Sequence, residues 1–127
     1  VLIVDDVAFV RKTLAKILID ANYQVVGEAE DGSAAVQLYR KLRPDVVTMD
    51  VVMPVRNGIE ATRKIIEKDG NAKIIIISAL SHEQLLMDAI NAGARDYILK
   101  PFAPEDLLKA VHKLFADEIE EEGMSHG

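Results

Sequence analysis

Two spacings alternate along the chain. Apolar runs at 1–4 (VLIV), 45–49 (DVVTM) and 73–78 (KIIIIS) lack polar alternation, the mark of strands buried on both faces. Residues 23–30 (YQVVGEAE) alternate and predict a half-covered strand, whereas 95–100 (RDYILK) is short and only partly apolar. Between these runs the apolar positions fall at helical spacing. Val10, Leu14, Ile17, Leu18 and Ala21 form one stripe, and similar stripes run through 33–42, 58–68, 83–93 and 105–115.

The punctuation agrees with these boundaries. Asp31 and Asn57 are placed to cap helices, Gly93 to end one, and Pro104 to open another. Five strand–helix units predict an α/β fold, a parallel sheet flanked by five helices on its two sides. The fully apolar first, third and fourth runs belong at the centre, and the second and fifth at the edges. That placement gives a flavodoxin-like, doubly wound, five-stranded sheet of order 2-1-3-4-5.

Ligands of such sheets bind beyond the carboxyl ends of the strands. Asp5 and Asp6 follow the first strand, Asp50 follows the third, Ser78 ends the fourth and Lys100 ends the fifth. Three close carboxylates repel one another unless something compensates. Lys100 supplies one positive charge, and a hard divalent cation, Mg2+ above all, suits the rest. A cation, a lysine and a hydroxyl around one carboxylate are parts for phosphoryl transfer onto that carboxylate, with Asp50 as nucleophile.

Composition narrows the classes. The 127 residues suit one domain with its own core, half of them being hydrophobic. Fifteen basic against 21 acidic residues leave a net charge of −6, which argues against a sequence-independent nucleic-acid surface. With no cysteine there is no disulfide, thiolate nucleophile or Cys-based zinc site, which fits a cytoplasmic protein. No apolar run is long enough to span a bilayer.

The segments VLIVDD (1–6), DVVTMDVVMP (45–54), NGIEA (57–61), IIISA (75–79) and NAGARDYILKPF (91–102) together resemble a response-regulator receiver domain of the chemotaxis, CheY-like type. The likeness runs from residue 1 to about 115. CheY is itself a standing example of the 2-1-3-4-5 order, so order and resemblance are not independent. The resemblance implies a phosphoacceptor at Asp50, served by a histidine kinase or a histidine phosphotransfer domain. It implies Mg2+, or Mn2+ in its place, on Asp6, Asp50 and the backbone carbonyl of Val52, with Asp5 acting directly or through water. It makes Lys100 the partner of the phosphoryl oxygens and Ser78 the hydroxyl that moves to them. Ala79 is the small residue that leaves room, Tyr97 the aromatic switch, and Lys100-Pro101 a candidate cis bond. The readout surface is then the fourth helix, fifth strand and fifth helix, acting on a downstream target such as the flagellar motor switch. Such a protein is a phosphoacceptor switch, promoting its own phosphorylation and dephosphorylation, rather than an enzyme. It binds neither nucleic acid directly nor membrane.

Finer expectations concern single residues. Met87 lies off its helix's stripe and is either an ordinary surface residue or part of the readout surface. Phe9, also off its stripe, either docks the phosphodonor's histidine domain or packs on the neighbouring loop. Val52 and Leu80, apolar where relatives position the hydrolytic water, predict slow self-dephosphorylation. Arg56 adds a charge near the rim, and Asn57 keeps the cap although relatives carry a different tripeptide there. His82, His112 and His126 read as dispersed surface residues. The receiver spans 1–116, and the acidic 117–127 is a fraying tail or the start of a linker. A stand-alone regulator is the first reading, and the receiver of a longer regulator with DNA-binding or enzymatic output is the alternative. An aspartate-nucleophile phosphohydrolase usually wants a second Asp at the position of Val52. A flavin module wants a hydroxyl- and glycine-rich loop where this chain has DDVAFVRK.

Overall fold

Five parallel strands form one sheet in the order β2-β1-β3-β4-β5: β1 (Leu2–Val4), β2 (Gly27–Ala29), β3 (Val47–Met49), β4 (Ile74–Ser78) and β5 (Asp96–Leu99). The computed structural model describes the backbone of residues 1–126 and the side chains of 1–117. The expected surface position of His126 and all but the first side chain of the 117–127 tail lie outside the described residues. Register is set by central β1, where Leu2, Ile3 and Val4 pair with Gly27, Glu28 and Ala29 on one side and Val47, Thr48 and Met49 on the other. The three apolar strands are central and the other two are edges, as the pattern predicts.

The helices are α1 (Ala8–Asp20), α2 (Gly32–Leu42), α3 (Gly58–Lys68), α4 (Glu83–Ala92) and α5 (Pro104–His126). Their starts follow the predicted chemistry. Asp31 Oδ1 accepts from the Ala34 amide, and Asn57 Oδ1 accepts from the Glu60 amide. Gly93 closes α4 in the left-handed conformation at φ 105°. The Lys100-Pro101 bond is cis.

Alternation along the strands sorts the core into two layers. Leu2, Val4, Val47, Met49, Ile74 and Ile76 point to α2, α3 and α4. Ile3, Val46, Ile75 and Ile77 point to α1 and α5, where Leu14, Leu18, Leu107 and Val111 meet them. Burying apolar side chains on both faces at about 25 cal/mol per Å² holds the central strands in place. Thr48, on the α1–α5 face between Ile3 and Ile75, is 1% exposed, and its hydroxyl has no hydrogen-bond partner.

Two differences from the sequence pattern stand out. Only Gly27–Ala29 of the 23–30 run is a strand. Tyr23 instead stacks on Phe115 at 5.3 Å between ring centroids, and Val26 makes one backbone bond to Val1. The other concerns α5, whose helix runs beyond the 105–115 stripe to His126.

Candidate functional site

Ladder hydrogen bonds carry past the strand ends and pin the residues expected at the rim. The Asp5 amide donates to Ala29 O, the Asp50 amide to Val4 O and the Lys100 amide to Ser78 O, at 2.9–3.0 Å. Three side chains distant in sequence are thereby aimed from the ends of β1, β3 and β5 into one space. Asp5 is 1% exposed and Asp50 9%, whereas Asp6 is exposed. Carboxylate oxygens of all three lie within 4.8 Å of one another.

Lys100 bridges the buried pair. Its Nζ stands 2.9 Å from Asp5 Oδ2 and 3.6 Å from Asp50 Oδ1. The Val7 amide holds the other Asp5 oxygen at 2.9 Å, and the Val51 amide holds Asp50 Oδ1 at 2.9 Å. Burial raises the Asp50 pKa above the ordinary carboxylate value. Lys100 opposes that rise, and Asp5 and then Asp6 add to it through like-charge repulsion. Three carboxylates against one ammonium leave a formal charge of −2, with all-oxygen donors. That donor set fits Mg2+, which prefers carboxylate oxygens and retained waters.

The β3–α3 loop is folded tightly back onto the site. The Gly58 amide donates to Val51 O at 2.9 Å, and a Cβ at position 58 would stand 1.8 Å from the Asp50 carbonyl oxygen. Only glycine permits that approach. In the same loop Val52 is 63% exposed.

Ser78 ends β4 as expected, but its buried hydroxyl accepts from the Leu80 amide at 3.1 Å. The half-buried Tyr97 donates its hydroxyl to the Leu80 carbonyl. The backbone of Leu80 thus links the hydroxyl of β4 to the ring of β5. Ala79, between them, is exposed. Asp5, Asp6, Asp50 and Lys100 are in one cluster, while Ser78 and Tyr97 form a second, joined to it through β4 and β5.

Phe9 is 77% exposed and, with Val10, Leu14, Pro101 and Phe102, lines an apolar cleft between α1 and the segment after β5. Met87 is 48% exposed, and Ile90 of α4 and Leu99 of β5 are exposed as well. His82 and His112 are exposed. Arg11 escaped the sequence reading. Its Nη1 donates to the Asp5 carbonyl at 2.7 Å and its Nε to Glu28 at 3.2 Å, tying the β1–α1 turn to β2. Its place one turn into α1 was the available signal, but any surface cation looks the same in sequence.

Among the described residues no helix is long and apolar enough to cross a membrane. The sequence matches the family profile described as response regulator receiver domain over residues 1–112. It is 49% identical to the chemotaxis protein CheY of Thermotoga maritima over 114 residues, covering 90% of this chain and 95% of that protein. Among solved structures, the CheX–CheY–BeF3–Mg2+ complex from Borrelia burgdorferi aligns with TM-score 0.86 and 40% identity, covering 90% of this chain and 87% of that one. A CheY-like receiver domain protein from Methanospirillum hungatei aligns with TM-score 0.87 and 28% identity, over 94% of this chain and 95% of the other. With its 2-1-3-4-5 sheet and its acids gathered at the carboxyl rim, the chain belongs to the response regulator receiver domain family, among its CheY-like members.

Proposed function

We propose that this protein receives a phosphoryl group on Asp50 from a phosphohistidine of a partner kinase or phosphotransfer domain, and relays the change to a downstream target. The observation that carries this reading is the gathering of Asp5, Asp6 and Asp50 within 4.8 Å, with Lys100 3.6 Å from the Asp50 carboxylate. Asp50 supplies the attacking oxygen. A bond forms from that oxygen to phosphorus while the phosphorus–nitrogen bond to the donor imidazole breaks, the imidazole leaving with its electron pair and gaining a proton. Bound Mg2+, or Mn2+ in its place, supplies charge neutralisation for the phosphoryl oxygens. Asp5, Asp6, Asp50 and the Val52 carbonyl are the groups to hold it. Lys100 is placed to leave Asp5 and pair with a phosphoryl oxygen, and the same parts serve hydrolysis of the aspartyl phosphate.

The Leu80 backbone gives the switch a physical route. Ser78 Oγ accepts from the Leu80 amide and keeps its own proton to donate to a phosphoryl oxygen, while the Leu80 carbonyl accepts from Tyr97. A shift of the Ser78 hydroxyl toward the phosphoryl group therefore pulls on the same backbone that holds the ring. The exposed surface of α4 and β5, with Met87, Ile90 and Leu99, is the place to read that change. Exposed Phe9 and the apolar cleft beside it support docking of the donor domain next to the acids. A chemotaxis-type regulator is the reading favoured by the 49% identity to the Thermotoga CheY, with the flagellar motor switch as its downstream target and the cytoplasm as its place. Incubation with Mg2+ and acetyl phosphate, followed by intact mass, tests the core claim. One phosphoryl group is expected on the wild type and none on Asp50→Asn; an unmodified wild type refutes it.

A further inference from the structure

Gly32 opens α2 with the Asp31 cap directly before it, and the β3–α3 loop lies against its Cα. A Cβ there would stand 2.1 Å from the Arg56 carbonyl oxygen and 2.8 Å from the carbonyl carbon. The obstacle is backbone, so no change of rotamer clears it. Nor does the position need glycine for its dihedrals, since Gly93 is the glycine with positive φ among the described residues. What it requires is the missing side chain.

Neither partner can retreat freely. Helix α2 is seated by Ala35, fully buried, and by Tyr39, whose hydroxyl donates to Asp69 at 2.7 Å. The loop is bonded to itself, Arg56 N to Pro54 O at 2.7 Å and Gly58 N to Val51 O at 2.9 Å. Within it, Val55 sits at φ 68°, a conformation that branching at Cβ makes costly. A push on Arg56 therefore travels along a short, already strained loop to Val52 and Asp50.

We infer that Gly32 is a positioning residue for the phosphoacceptor loop. Its bare Cα lets the first turn of α2 seat the Arg56 peptide, and that seat sets where the Val52 carbonyl and the Asp50 carboxylate stand for a divalent cation. The inference rests on the cation site proposed above.

Calorimetric titration of Mg2+ into wild type, Gly32→Ala, Ser33→Ala and the double variant Gly32→Ala/Val55→Gly tests it, with thermal unfolding recorded for each. Alanine is the better helix former, which favours a folded Gly32→Ala protein. Its Mg2+ affinity is expected to fall about 10-fold or more, the usual cost of disturbing the groups behind a metal ligand. Ser33→Ala should bind as wild type does, and Val55→Gly should restore most of the lost affinity by freeing the loop to turn. A wild type that binds no Mg2+ refutes the cation site itself. If wild type binds and Gly32→Ala binds within about twofold of it, whatever its stability, the positioning role is overturned. Amide resonances of the wild type give a reading independent of any variant's folding. Mg2+ should shift Gly32 together with 51–58, and an unmoved Gly32 resonance contradicts the inference.

Discussion

Replacing Asp50 by Asn should stabilise the metal-free protein, although it removes the functional carboxylate. At an effective dielectric of about 20, Lys100 at 3.6 Å attracts Asp50 by about 5 kcal/mol. Asp5, within 4.8 Å, repels it by about 3.5 kcal/mol, and exposed Asp6 adds about 1 kcal/mol once water screens it. These Coulomb contributions nearly cancel. The burial of a carboxylate remains, and it is the leading cause of the raised Asp50 pKa. Asn keeps the acceptor for the Val51 amide and sheds the charge, while Lys100 keeps Asp5 at 2.9 Å. A gain of about 1 kcal/mol at pH 7 is the expected result. For 127 residues, an unfolding entropy of about 2.1 cal/mol/K per residue turns that into about 4 °C in Tm.

The sign of the pH dependence follows from the direction of the shift. A carboxyl whose folded pKa lies above its unfolded value binds more protons when folded, so its ionisation costs stability as pH rises through that window. The advantage of Asp50→Asn should therefore be full above the raised folded pKa. It should fade as pH falls through the raised value and vanish below 3.8, the ordinary value, where the wild-type carboxyl is protonated both folded and unfolded. Mg2+ should reverse the ranking, because a ligand at 100 times its dissociation constant adds about 2.7 kcal/mol to the protein that binds it. Urea unfolding of both proteins at pH 7 and near pH 4, with and without Mg2+, reads all three effects. A metal-free Asp50→Asn protein less stable than wild type at pH 7 would refute the electrostatic reasoning.

Thr48→Val removes a buried hydroxyl with no partner and sets a methyl between Ile3 and Ile75. It should raise stability by about 1 kcal/mol, or about 4 °C in Tm; a loss in thermal unfolding would mean that the hydroxyl is satisfied. Val52→Asn with Leu80→Glu should hasten phosphate loss from the aspartyl phosphate by placing polar groups to orient water, measured as decay of the phosphorylated mass. An unchanged or slower decay would sink the link between those apolar positions and slow hydrolysis.

Much of this was legible in the one-dimensional pattern. The runs at 1–4, 45–49 and 73–78 proved central because only strands covered on both faces can be so uniformly apolar. The acids and Lys100 could be assigned to one rim because parallel strands all present their carboxyl ends on the same side. The 23–30 run misled in extent. An edge strand has one neighbour, and β1 pairs only from Leu2, so most of the run has no ladder to join. Tyr23 then finds its burial against Phe115 instead.

The sequence by itself determined which residues stand at the strand ends, because period and punctuation are local properties of the chain. Only the tertiary structure decided how they engage one another. Lys100 lies closer to Asp5, 95 residues away in the chain, than to Asp50. Ser78 and Tyr97 meet at the Leu80 backbone, and Gly32 and Gly58 leave room for loop carbonyls that no local pattern announces. These relations turn on distances of an ångström or less between segments brought together by packing. Hydrophobic periodicity specifies faces and order, and at that resolution it carries no information.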